Sequence, residues 1–161
     1  MNIIKRFALV SMVLAVFLIT ACSGKKVEHF PSKKEALDSF IEKEEVKGNI
    51  DLILTTKGES LLAIQSREDV FFVGELIEDK DGNYYARRIS DNVGVGIGAS
   101  WELNTKNKNK YTIYFENDKK DSNYLPFSNG EYSIALSEGH TITENTLEFT
   151  NTINVVELIK D

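Results

Sequence analysis

The spacing of hydrophobic positions changes character three times along the chain. Residues 7–21 form an uncharged run interrupted only by Ser11 and Thr20. Further on, Ala36, Leu37, Phe40 and Ile41 recur at helical spacing, the pattern of a helix with one buried face. Ser32 and Glu35 stand where a capping box requires them, and Gly48 is placed to end the helix. The spacing therefore predicts an amphipathic helix over residues 33–47. Its outer face carries Lys34, Asp38, Glu42, Lys43 and Glu45, a solvated face of mixed-sign pairs.

From Asn49 the period falls to two. Alternating positions predict strands at residues 50–55, 60–65, 70–78, 84–90, 98–103, 111–116, 132–137 and 153–159. Asp81-Gly82 is a hairpin signal whose central residues both call for positive φ. Short strands with local turns imply an α+β fold: an N-terminal amphipathic helix packed on a curved antiparallel sheet of about seven strands. No internal repeat or second composition regime appears, so residues 32–161 read as one domain.

Lys5 and Arg6 precede the first apolar run, which at 15 residues falls short of the roughly 20 a spanning helix needs. A basic start, apolar middle and small residues before a cut are the anatomy of a secretory signal. The cut region, Ile19-Thr20-Ala21-Cys22, resembles the lipobox of bacterial lipoproteins. That resemblance implies a signal peptide cleaved after residue 21, a diacylglyceryl lipid with palmitate-type chains on Cys22, and a tether over residues 22–31. Two acyl chains anchor stably where one does not. The implied location is the extracytoplasmic face of the cell membrane, and the implied membrane partner is reached through the lipid. Beyond the lipobox, the tether, capped helix and strand run are similar in layout to small, uncharacterised lipoproteins of Gram-positive bacteria of the Bacillus kind.

Composition agrees with an exported globular domain: 42% of positions are hydrophobic and 27% charged, which is neither disordered nor fibrous. Cys22 is the single cysteine, so no internal disulfide is expected. The chain carries 19 basic and 25 acidic residues; without residues 1–21, which hold Lys5 and Arg6, the balance is 17 against 25, or −8. A chain that acidic does not track phosphate backbones, and nucleic acid is excluded as a partner.

Several motif matches lack their chemical context. Gly94, Gly96 and Ala99 fit a bare dinucleotide pattern, but a strand rather than a helix is predicted next. Ser100, between Gly98 and Glu102, makes half of a nucleophile elbow, with His140 as the available base. Asp79 to Asn83 resembles the start of a calcium loop, but position 12 would be Ser90. Glu138, His140 and Glu144 carry ligand atoms at a spacing that matches no closed metal site. No catalytic residue, metal or cofactor other than the covalent lipid is expected.

Two loops keep open readings. Tyr124, Leu125 and Phe127, about Pro126, form an apolar cluster in the polar connection 117–131. It packs over a sheet edge, or it is presented to a partner as an anchor. Residues 104–110 alternate Asn with Lys106, Lys108 and Lys110, a solvated hairpin tip or a contact for an acidic wall polymer or lipid headgroups. The function expected is a non-enzymatic binding or accessory module engaging an envelope protein or wall component. The alternatives are a protective lipoprotein that blocks another protein's active site and an envelope hydrolase.

Overall fold

A computed structural model of the chain describes residues 27–117, 122–140, 142 and 149–161. Cys22, the apolar run before it and Glu144 lie outside the described residues. Helix α1 spans Lys33–Lys43, and Ser32 caps it by accepting the Glu35 N–H at 3.2 Å. The helix ends four residues before the expected position. Val46 donates to the Ile41 carbonyl and Glu45 to that of Glu42, the crossed bonds of a Schellman cap. Glu45, not Gly48, takes the left-handed conformation, with φ 53°. That turn lets Val46 bury beside Ile41. Gly48 serves a different need: a Cβ there would stand 2.3 Å from the Gln65 carbonyl oxygen.

Ten strands follow among the described residues: β1 Ile50–Thr55, β2 Ser60–Arg67, β3 Val70–Glu78, β4 Tyr84–Arg88, β5 Val93–Gly94, β6 Ala99–Asn104, β7 Lys110–Asn117, β8 Leu125–Pro126, β9 Tyr132–Glu138 and β10 Ile153–Lys160. All pairings are antiparallel. They form two open sheets rather than the single curved sheet expected. Sheet A runs β10-β1-β2-β3-β4, with β5 also on β3, and sheet B runs β6-β7-β9-β8. The described residues are mostly β, with one short helix. Phe30, expected in the tether, exchanges backbone bonds with Tyr84 and covers part of the β4 edge.

Strand alternation explains the layering. On one face of sheet A, Ile53, Leu61, Ala63, Phe71 and Val73 meet Leu103, Tyr111, Ile113, Phe115, Ile134 and Leu136 of sheet B. On the other face, Ile50, Leu62, Ile64 and Phe72 pack under Phe40 and Val46. Sheet A is thus buried on both faces, which is why its central strands read as nearly continuous apolar runs. Leu37 and Ile41 are half-buried beside Phe40, whose ring lies over Gly74, where a Cβ would come within 3.0 Å of it. Phe40→Ala is expected to cost about 3–5 kcal/mol. A chemical-denaturation midpoint equal to wild type would show that the helix contributes no packing.

Candidate functional site

Three hairpins at one end of the sandwich share a single turn design. In each, the first residue's N–H donates to the carbonyl of the residue four on: Thr55 to Glu59, Asp79 to Asn83, Thr105 to Asn109. The first side chain then accepts the N–H of that same partner, at 3.0, 3.0 and 3.2 Å. The position before closure is left-handed: Gly58 at φ 77°, Gly82 at 78° and Lys108 at 65°. In the Asp79–Asn83 turn only Gly82 is left-handed, so the paired positive φ expected of Asp81-Gly82 is not what closes it. Lys108 occupies a conformation that costs a side-chain-bearing residue about 1–2 kcal/mol.

The β6–β7 tip is not simply solvated. It folds onto two buried carboxylates of sheet A, Glu59 and Glu75, which are 6% and 2% exposed. Glu59 Oε1 accepts from Thr105 Oγ1 at 2.7 Å, Asn109 Nδ2 at 3.0 Å and Asn107 Nδ2 at 3.3 Å. Its Oε2 accepts from the buried Tyr111 hydroxyl at 2.7 Å. Glu75 accepts from the Lys106 N–H at 3.0–3.1 Å through both oxygens, and from Arg87 Nε and Nη2 at 3.1 and 3.0 Å. Beside them lies a cleft of about 250 Å³ lined by Lys33, Glu59, Ser60, Glu75, Tyr84 and Asn107.

The two acids are tuned in opposite directions. Burial pushes the Glu59 carboxyl up, but the bonds from Thr105, Tyr111, Asn109 and Asn107 outweigh it and leave the group below its ordinary value. Burial also pushes Glu75 up, and Arg87 and the Lys106 amide do not fully offset it. Tyr111 is raised strongly, by burial and by its bond to Glu59. Every carboxylate oxygen of the pair already faces a fixed donor, an arrangement that holds a loop in place. Neither acid belongs to a motif or spacing that marks it in the sequence. Their signal was an acid at an inward position of an apolar strand, Glu75 within β3, and one directly after a turn glycine, Glu59.

The loop cluster is divided by the fold. Phe127 is 3% exposed, and its ring meets Phe71 and Phe115 at 5.6 and 5.3 Å in the core between the sheets. Leu125 is half-buried against the same core, and Tyr124 is half-buried with its ring edge-on to Phe149. The Phe127 side chain is therefore enclosed rather than presented. His140 directs Nδ1 to Glu102 Oε2 at 3.2 Å and Nε2 to the Leu103 carbonyl at 3.1 Å, while Ser100 is exposed on β6. Glu138 pairs with Lys57 at 3.1 Å. Among the described residues no three His, Cys, Asp or Glu side chains gather as metal ligands. The Gly94–Ala99 stretch passes from β5 into β6, a strand, as its predicted context requires.

Glu59→Gln is expected to cost about 1–3 kcal/mol at neutral pH, because the donors around it lose a charged acceptor. The sign of its pH dependence follows from the lowered value. Stability from Glu59 is present above the unfolded carboxyl's pKa and is lost as pH falls through the folded one. Glu75 works oppositely, losing stability as pH rises through its raised value. Denaturation midpoints of Glu59→Gln should fall less steeply than wild type between about pH 5 and pH 3. Equal slopes would remove Glu59 from the acid response. Phe127→Ala should cost about 3–5 kcal/mol, and Tyr124→Ala less, measured by thermal melting. The reverse order would place the wrong ring in the core.

Comparison with models of known protein families, with curated proteins and with solved structures found no match to this chain.

Proposed function

We propose that the chain is a lipid-anchored module on the extracytoplasmic face of a bacterial membrane, and that it binds or assists an envelope component without catalysing a reaction. The lipobox-like Ile19-Thr20-Ala21-Cys22 supports the anchor, and the likeness to small Gram-positive lipoproteins points the same way. The observation that carries the non-enzymatic reading is the state of the two buried acids. Glu59 and Glu75 are the groups best suited to acid–base work, and their oxygens are taken up by the tip and by Arg87. A general base needs a lone pair within reach of a substrate proton. Here the acids position a loop instead.

The geometry also bears on where the domain sits. Phe30 is bonded to Tyr84, eight residues after Cys22. Eight extended residues span at most roughly 29 Å, so an anchored domain works close to the bilayer surface. Among the described residues no helix is long and apolar enough to cross a membrane.

Cys22→Ala is the direct test of the anchor. The wild-type protein should enter the detergent phase of a phase separation and carry an acyl mass on Cys22. The variant should accumulate as precursor or be shed. Wild-type protein in the aqueous phase with an unmodified first residue would defeat the reading.

A further inference from the structure

We infer that the β6–β7 tip is a rigid cationic docking surface for the anionic headgroups of the membrane that holds the anchor. The inference rests on the lipid-anchored reading and names the contact that the anchored domain makes. Lys106, Lys108 and Lys110 are exposed, and none has an acidic partner among the described residues. The tip between Asn104 and Lys110 contains no acid. The acids beneath it, Glu59 and Glu75, are buried and bonded to the tip's Thr105, Asn107, Asn109 and Lys106 amide, and Glu75 also pairs with Arg87, so neither carboxylate reaches a tip ammonium. A chain with a net charge of −6 thus turns three lysines outward at one hairpin, none of them ion-paired among the described residues.

Two further observations make this more than a polar loop. The sister hairpins use Gly58 and Gly82 at the left-handed position, whereas the tip keeps Lys108 there, at its apex. Local backbone preference asks for glycine at that point, so the lysine stands there at a conformational cost. The tip is also held fixed, because Thr105, Asn107, Asn109 and the Lys106 amide are all bonded to the two glutamates. Its lysines approach a surface from a preset backbone, which reduces the ordering cost of binding.

Position selects lipid over more distant polyanions. Asn107 of the tip and Tyr84, which receives the tether at Phe30, line the same cleft. The tip therefore lies one cleft's width from the root of a tether at most roughly 29 Å long. Attraction to an anionic leaflet acts within about a Debye length, and a surface held this close can use it.

The test uses full-length lipidated protein on vesicles of phosphatidylcholine alone and of phosphatidylcholine mixed with phosphatidylglycerol. An amine-acylating reagent reports access to Lys106, Lys108 and Lys110 by mass spectrometry. On anionic vesicles, acylation at the tip should slow relative to neutral ones, and high salt should abolish the difference. Lys108→Gly should melt at or above the wild-type temperature and yet weaken the shielding of Lys106 and Lys110 by about fivefold, the contribution of one lysine near such a surface. Equal acylation on both vesicles would overturn the inference. So would shielding by soluble polyglycerol phosphate with none by anionic vesicles, which would assign the tip to a wall polymer. Loss of protein from neutral vesicles is a failure of the anchor and is scored apart, since anionic vesicles in excess would still shield a docking tip.

Discussion

A carboxylate removed from water must be given donors, and this protein places its inward-facing acids on one sheet and most of their donors on the other. Asp51 accepts from Ser128 at 2.9 Å, Glu59 from Thr105, Asn107, Asn109 and Tyr111, and Glu75 from the Lys106 amide. Asp69, at the rim, accepts from the Tyr132 hydroxyl. In each of these bonds the acid belongs to sheet A or its turns and the donor to sheet B or its loops, while Glu75 also accepts from Arg87 of β4 within its own sheet. Apolar contact between two sheets is non-directional and would allow them to slide or rotate. Hydrogen bonds to buried charge fix the mutual position, because breaking one leaves an uncompensated group inside. The cost of burial is visible in Asp51 and Glu75, both raised above ordinary carboxyl values by desolvation. Tyr132 shows the donor side: burial and Asp69 push its hydroxyl up to about 12. Its folded value exceeds its unfolded one, so its stability is present below about pH 10 and is lost as pH rises toward 12.

This division explains what could be read along the chain and what could not. Local signals were reliable: the Ser32 cap, the helix start and all eight predicted strands occur, with boundaries moved by a few residues. These depend on alternation and on turn chemistry within a few positions. Partition into two sheets does not. β5 and β6 are joined by a short glycine-containing stretch, and nothing in its spacing tells whether β6 continues sheet A or begins sheet B. Gly48 shows the same limit. Its position after a helical pattern suggested a cap, but its reason is the Gln65 carbonyl on a neighbouring strand. Glu45 closed the helix because a buried Val46 made the left-handed turn worth its cost.

The candidate site was half legible. Lys106, Lys108 and Lys110 stood out as a cationic tip, but Glu59 and Glu75 did not, because an acid in a strand pattern looks like an outward residue until its parity is checked against the core. Phe71, Val73, Glu75 and Ile77 share one face of β3, and the first two lie in the core between the sheets. Glu75 is therefore inward by parity alone. The aromatic loop left two readings open, packing over a sheet edge or presentation to a partner. Sequence neighbours cannot choose between them, because what encloses Phe127 lies far off in the chain: Phe71, Phe115 and the rest of the sandwich core.

Net charge is a poor guide to the character of any one face, and the reason is structural. Of the acids that outnumber lysine and arginine here, Asp51, Glu59 and Glu75 are turned inward, and others are matched locally, as Asp38 is by Lys34 and Glu138 by Lys57. An acid whose oxygens are taken up by hydroxyl and amide donors makes no direct ion pair with a lysine on the surface above it. Glu59 and Glu75 order the tip through its hydroxyl, amide and backbone donors, and neither carboxylate pairs with a tip ammonium group. The same two side chains thus join the sheets and fix the backbone that carries the exposed lysines. Long-range repulsion from the remaining acids falls off within about 8–10 Å at physiological salt, whereas the tip's own charges act at contact. An acidic domain can in this way carry one cationic corner without separate machinery to hold it.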